Sequence, residues 1–362
     1  MSQRISGGSL FQVLKEARRS FDPTEIGGLF MRVDQKRVEA LASHLGAYIE
    51  ANLPKAIENR SELADYRTNP YALITSAAVA KLKDPSRLAW FLFDSKLYMA
   101  LETSFGKSVE AAFVSPYPIG RKQKWAEPPE KLAEFAALRG LSREDKAARR
   151  VGSVWREIDK SVVVGDRRYL TSIKSGPNTI NDTQVQAMTQ AIIDHREDWM
   201  RFTRKNHHVV TGIDLIIGLT YGTDRTTNNK ENQILAKLLE HGFIEEDRSA
   251  KPGVLIDSKT RSFRIYRRIG QDFWAFIGNP TDPASASFVF LEILLGLTKA
   301  LTGQKALDLE ARISLKVKQL SRALAKLQFP SGSLPNWLEK DFTDEALFWL
   351  TAAMTAFYDE GI

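Results

Sequence analysis

Among the 362 residues of this chain, Glu157, Asp159, Ser172, Lys174 and Glu110 have the types and spacing that suit chemistry. Glu157-Ile158-Asp159 sets two carboxylates two positions apart, which in an extended strand puts both on one face. There they repel each other unless a cation joins them. Ser172-Ile173-Lys174 follows, and strand alternation again places Ser172 and Lys174 on one face with Ile173 turned to the core. The stretch between reads as a hairpin, with strands over 154–164 and 168–174 joined at Gly165-Asp166-Arg167, which returns Lys174 towards Asp159. Glu157 and Asp159 can also be exposed acids balanced by Arg156 and Lys160, and Asp159 with Lys174 can be a cross-strand ion pair. The loop Ser175-Gly176-Pro177-Asn178 argues for more, because it opens the strand end to a ligand.

The third feature is Ser104-Phe105-Gly106-Lys107-Ser108-Val109-Glu110, expected on a helix over 104–113. Gly106 and Glu110 share a face at that spacing. A glycine inside a helix costs about 1 kcal/mol relative to alanine, so it predicts close approach of another backbone, with Glu110 delivered to whatever packs there. Simple helix–sheet packing with an incidental glutamate fits equally well.

The elements that must position these residues form an α/β pattern. Helical periodicity runs through the first hundred residues, for example Val38, Leu41, Ala42, Leu45 and Tyr48. Breaks fall at Asn69-Pro70 and Asp84-Pro85, and a Pro, Gly and Lys-rich connection spans 117–129. Charged helices are expected over 129–138 and 142–149. A helix capped by Asn181 or Asp182 follows the hairpin, then a buried strand over 209–221 and a polar loop over 222–229. Strands over 253–257 and 263–267 precede helices from Asp272, over 285–301, 306–327 and 344–358. Three regions are expected: a mainly helical 1–100, a core over 101–280, and helices over 281–362 packed on that core.

Composition excludes several classes. With no cysteine there is no disulfide, cysteine zinc site, iron–sulfur cluster or thiol nucleophile. Residues 1–10 carry no apolar run, so no secretory leader is expected. The apolar stretch 288–301, interrupted by Glu292 and Lys299, is expected to be too short for a membrane span. A cytoplasmic protein is the expectation. His207-His208 is a poor metal site at that spacing and reads as structural. The formal net charge is +7, and the excess is uneven. Residues 116–176 hold 14 basic against 8 acidic side chains, and 251–268 hold 6 against 1. Two basic zones point to a polyanionic partner or to solvated surface.

The order Glu110, Asp159, short hairpin, Ser172-Ile173-Lys174 resembles the PD-(D/E)XK nuclease superfamily, specifically its type II restriction endonucleases. The resemblance spans about 102–301, including Gly218-Leu219-Thr220-Tyr221-Gly222 and Asp272-Phe273-Trp274. It is nearest to enzymes that cut palindromes with a GG-N-CC core. It implies a restriction-endonuclease-like core, a small mixed β-sheet flanked by helices. It also implies Mg2+-dependent, sequence-specific hydrolysis of double-stranded DNA leaving 5'-phosphate ends, with Mn2+ able to substitute. Asp159 would be the principal metal ligand, the Ile173 carbonyl a second, and Lys174 would orient or deprotonate the attacking water. The chain departs from the pattern at Ile158, where proline is usual, and at Ser172, where an acid is usual. Glu110 or Glu157 would supply that acid. A homodimer and a companion DNA methyltransferase are implied as partners.

For DNA contacts, Arg121, Lys122, Lys124, Arg264 and Arg267 are candidates for phosphates. Asn178, Thr179, Asn181, Arg225, Asn228 and Lys230 are candidates for base edges, since Arg suits guanine and Asn suits adenine. The alternatives are a repair or structure-specific nuclease of the same fold, and a non-catalytic DNA-binding protein.

Overall fold

The computed structural model describes residues 33–58, 62–66, 68–82, 84–112, 124–176, 180–242, 244–250, 253–301, 307–327 and 336–357. Its elements are helices α1 (Gln35–Glu58), α2 (Pro70–Ala80), α3 (Pro85–Ala112), α4 (Pro129–Ala136) and α5 (Arg143–Val151), then strands β1 (Lys160–Val164) and β2 (Arg167–Lys174). Next come α6 (Asp182–Asn206), β3 (Gly212–Leu219), α7 (Lys230–Glu240), β4 (Ile244–Glu246), β5 (Leu255–Asp257) and β6 (Phe263–Ile269). Helices α8 (Gly270–Gly278), α9 (Val289–Leu301), α10 (Leu307–Leu324), α11 (Asn336–Asp341) and α12 (Asp344–Phe357) complete the chain. The protein is α/β, with one mixed six-stranded sheet in the order β1-β2-β3-β6-β5-β4.

Two compact units divide the chain. The first, from the described parts of 1–45 and 106–298, contains the whole sheet. Strands β2, β3 and β6 run parallel at its centre, and β1, β5 and β4 are antiparallel additions. Every residue of β3 is buried, which is what a central strand covered on both faces requires. One face carries Leu170, Leu215, Ile217 and Leu219 against Val185, Met188 and Ile192 of α6 and Ile234 and Leu238 of α7. The other carries Val162, Tyr169, Ile216 and Tyr266 against Phe273, Phe276 and Ile277 of α8. Buried indoles satisfy their N–H groups on carbonyls: Trp199 Nε1 donates to Val154, Trp125 Nε1 to Ile277 and Trp274 Nε1 to Thr220, at 2.9, 2.9 and 2.7 Å.

The second unit gathers the described parts of 46–105 and 299–362. Leu73 and Ala77 of α2 and Leu88, Leu92 and Phe93 of α3 pack with Leu320 and Leu324 of α10 and Ala352, Ala353 and Ala356 of α12. The alanines let backbones approach, and Thr68 N–H donates to the Ala356 carbonyl at 3.2 Å.

Three sequence expectations need correction. The first hairpin strand begins at Lys160, not at 154, because 154–157 turn back on themselves. Ser153 Oγ accepts the Trp155 N–H at 3.1 Å, and the Ile158 N–H donates to the Trp155 carbonyl at 3.1 Å. Buried Trp155 and Ile158 are anchors of a turn, and with Val154 their strand-favouring side chains imitate a strand. The helix expected over 104–113 is the end of α3, continuous from Pro85. Helix α7 and strand β4 lie within residues 230–246, where the sequence pattern signals no element.

Among the described residues, Pro283–Ala300 is the one stretch long and apolar enough to cross a membrane by length and composition, with a mean hydropathy of 1.3. A third of it is buried and Leu294 is exposed, yet several of its side chains have partners within the first unit. Val289 and Ile293 are buried in the α8 cluster, Gly296 lies against Leu41, and Glu292 pairs with buried Arg37 at 2.8 Å. The α-helical part, α9, has 13 residues, a length of about 20 Å against the roughly 30 Å of a bilayer core.

Candidate active site

The site is built at the end of the sheet where β2, β3 and β6 finish, since all three run the same way. In open sheets of this kind ligands bind beyond the carboxyl ends of parallel strands. Here the ends are Lys174-Ser175, Thr220-Tyr221 and Ile269-Gly270. Thr220 fixes two of them together: its N–H donates to the Lys174 carbonyl at 3.0 Å and its Oγ1 to the Ser175 carbonyl at 2.7 Å.

Asp159 lies just before β1 and extends the ladder, its N–H donating to the Thr171 carbonyl at 2.8 Å. Its Oδ2 accepts the Ile173 N–H at 2.6 Å. Lys174 carries its backbone bond towards β3, so strand alternation turns the N–H and C=O of Ile173 towards the β1 side. The Ile173 carbonyl and the Asp159 carboxylate therefore share one strand edge. Burial pushes the Asp159 carboxyl up to about 6. Lys174, the Ile173 N–H and Lys131 pull it down, while the Glu110 charge pushes it further up.

Lys174 is mostly buried, and its Nζ is 3.8 Å from Glu157 Oε2. Glu157 is also 3.4 Å from Arg156. Ser172 is fully buried on the same face as Leu170 and Lys174, and its Oγ has no hydrogen-bond partner. Glu110 is brought in by α3. A Cβ on Gly106 would stand 2.8 Å from the Ser175 Cβ, so the glycine is what allows the helix to close on the strand end. Glu110 lies on the opposite sheet face from Ser172, 3.8 Å from the Nζ of Lys160.

The structure thus gathers Asp159, Ile173, Ser172, Lys174 and Glu157 at one strand end, while Glu110 acts on Asp159 from the other sheet face. It also adds three residues that sequence reasoning missed as site members. Lys131 Nζ donates to the Ile158 carbonyl at 2.6 Å, Lys160 is buried, and Glu127 sits 3.8 Å from Lys160. Alternation within β1 was the available signal for Lys160. Lys131 and Glu127 arrive through tertiary packing and had none.

The oxygen donors beside Asp159 suit a hard cation such as Mg2+. The carboxylate, the Ile173 carbonyl and the orphaned Ser172 hydroxyl are all oxygens at one strand end, and a buried hydroxyl without a partner is costly unless something meets it. Among the described residues no three His, Asp or Glu side chains gather as a ready metal cluster. Both acids expected to replace the one missing at Ser172 are engaged by cations, Glu157 by Lys174 and Arg156, and Glu110 by Lys160.

The expected DNA contacts separate into groups. Asn178, Thr179, Arg121 and Lys122 lie outside the described residues. Asn181 is the N-cap of α6, in a capping box with Gln184. Asn228 Nδ2 donates to the Ile180 carbonyl at 2.9 Å, and Lys230 pairs with Asp182, so the two polar loops after β2 and β3 are tied to each other. Arg264 pairs with Asp247 at 3.2 Å, and Arg267 with Asp224 and buried Glu231. Lys124 and Arg225 are exposed. His207 caps the end of α6, and burial holds its imidazole pKa below the usual value. No protein-family model matches the chain, and no curated protein matches it in sequence.

Proposed function

We propose that this protein is a type II restriction endonuclease of the PD-(D/E)XK kind, a Mg2+-dependent enzyme that cuts double-stranded DNA at a specific sequence. One observation carries the reading: Asp159 is bonded to the backbone of Ile173 across the hairpin, with Lys174 next along the same strand. That places a carboxylate, a strand-end carbonyl and an ammonium at the carboxyl ends of parallel strands. Asp159 and the Ile173 carbonyl would hold the divalent ion, which supplies Lewis-acid stabilisation of charge on the phosphate and the leaving oxygen. Lys174 orients the attacking water and offsets phosphate charge. Water oxygen bonds to phosphorus as the P–O3' bond breaks, and the proton passes to the 3' oxygen, leaving a 5'-phosphate and a 3'-hydroxyl. Loops after β2 and β3, tied by Asn228 and Lys230, form the surface facing the duplex. A homodimer matches a palindromic site, because two-fold symmetry supplies one active centre per strand. A companion methyltransferase would protect the host's own sites.

Incubating the purified protein with phage-sized DNA and Mg2+ tests this directly. A ladder of discrete fragments, abolished in Asp159→Ala, is the expected result. Random nicking would indicate a repair or structure-specific nuclease of the same fold. The second reading, a DNA-binding protein without activity, is favoured by the 3.8 Å approach of Lys174 to Glu157, which a purely structural ion pair also makes. Binding without any cleavage in Mg2+ or Mn2+ would select it.

A further inference from the structure

We propose that the Lys160 ammonium is a built-in cation occupying the place of a second divalent ion, so that the site takes one such ion per chain. The inference rests on reading Asp159 as a metal ligand. Lys160 opens β1, its side chain is 4% exposed, and alternation sends it with Val162 to the sheet face beneath the end of α3. A buried ammonium is costly unless partnered. Its partners are two carboxylates from separate elements, Glu110 of α3 and Glu127 ahead of α4, each 3.8 Å from Nζ. Both acids stay over a third exposed, so they reach solvent while the cation between them does not. Glu110 is close enough to Asp159 for its charge to act on it. Two carboxylates converging beside a metal-binding aspartate are what a second divalent ion would require. A lysine stands between them.

Charge balance supports the same conclusion. Counted over both sheet faces around Asp159, Lys131, Arg156, Lys160 and Lys174 accompany Glu110, Glu127, Glu157 and Asp159, four cations to four carboxylates. One divalent ion adds two positive charges, which match one phosphodiester and one hydroxide. A second would leave an excess of two at a site with no further acid cluster among the described residues.

Counting bound Mn2+ per chain by electron paramagnetic resonance on the full-length, DNA-free protein tests this without relying on activity. The wild type and Lys160→Arg should each bind one ion. Lys160→Met should bind two, because Glu110 and Glu127 are released. Lys160→Gln, which keeps a polar group between the acids, should also bind two and serves if the methionine variant fails to fold. Two ions in the wild type, or one in a folded Lys160→Met or Lys160→Gln, would overturn the role of Lys160 and leave Asp159 as a ligand. No bound ion in the wild type would overturn the metal reading of the site together with this inference.

Discussion

Burial of Asp159 makes a single carboxyl govern both stability and metal binding. Its pKa rises from 3.8 to about 6, so between these values the folded chain holds a proton that the unfolded chain has lost. The stability this contributes is present below about pH 4 and lost as pH rises through 6, a change of roughly 3 kcal/mol. Asp159→Asn should therefore raise metal-free stability at pH 7.5 by about 1–3 kcal/mol in urea unfolding, since the amide oxygen still accepts the Ile173 N–H. A less stable variant would mean that the ionised carboxylate is well accommodated. The same protonation opposes metal binding, so Mn2+ affinity should fall steeply as pH drops below 6, and an affinity flat from pH 8 to 5 would contradict it. Asp159→Ala and Lys174→Ala should each lower cleavage at least 1,000-fold, on the order of the loss of a charged transition-state contact, while duplex binding in gel-shift assays persists. Full activity in either would remove the assignment. Asp159 and Lys174 were legible in the sequence because a short hairpin sets their juxtaposition locally. Lys131 and Glu127 reach the site through packing between distant elements, which no local spacing encodes.

Helix α3 depends on one missing side chain for its approach to the strand end. Gly106→Ala on a free helix would gain about 1 kcal/mol. Here the new Cβ would stand 2.8 Å from the Ser175 Cβ, nearer than real carbons come, so α3 or the strand end must shift. The predicted result is a loss of cleavage with little change in duplex affinity. Ser175→Gly in the same chain should recover most of it, because the next atom, the Ser175 Cα, is 4.0 Å away. Failure of the double variant to recover would show that Gly106 serves the helix and not the contact. That glycine was informative in the sequence, where it predicted a close approach without naming the neighbour. The hairpin was legible from its β-branched residues and Gly165, which takes the positive φ of the turn. Its first boundary was not, because Val154, Trp155 and Ile158 carry strand-like residues into a turn closed by Ser153 and by the Lys131 ammonium. Helix α7 was obscured by its polar start, Lys230-Glu231-Asn232-Gln233, and by an N-cap, Asn229, in the left-handed region that makes no side-chain cap.

The chain's positive charge is distributed differently in the fold than along the sequence. Residues 251–268 look like a phosphate-binding zone when their charges are counted, yet each described arginine there meets a carboxylate from elsewhere. Arg261 meets Glu245, Arg264 meets Asp247, Arg267 meets Asp224 and Glu231, and Arg268 meets Asp272. An arginine so paired must give up its partner before it can neutralise a phosphate. Lys124, exposed in the basic connection before α4, makes no ion pair among the described residues. Each phosphate contact adds about 0.9 to the slope of log affinity against log salt. Duplex binding measured from 50 to 300 mM KCl should therefore lose close to one unit of slope in Lys124→Ala and almost none in Arg264→Ala. Arg264→Ala should instead lower stability, because it strips a partner from Asp247, whose side chain is fully buried. If Arg264→Ala flattens the salt dependence while Lys124→Ala leaves it unchanged, the duplex lies against β6, and the arginines there exchange their carboxylates for phosphates on binding.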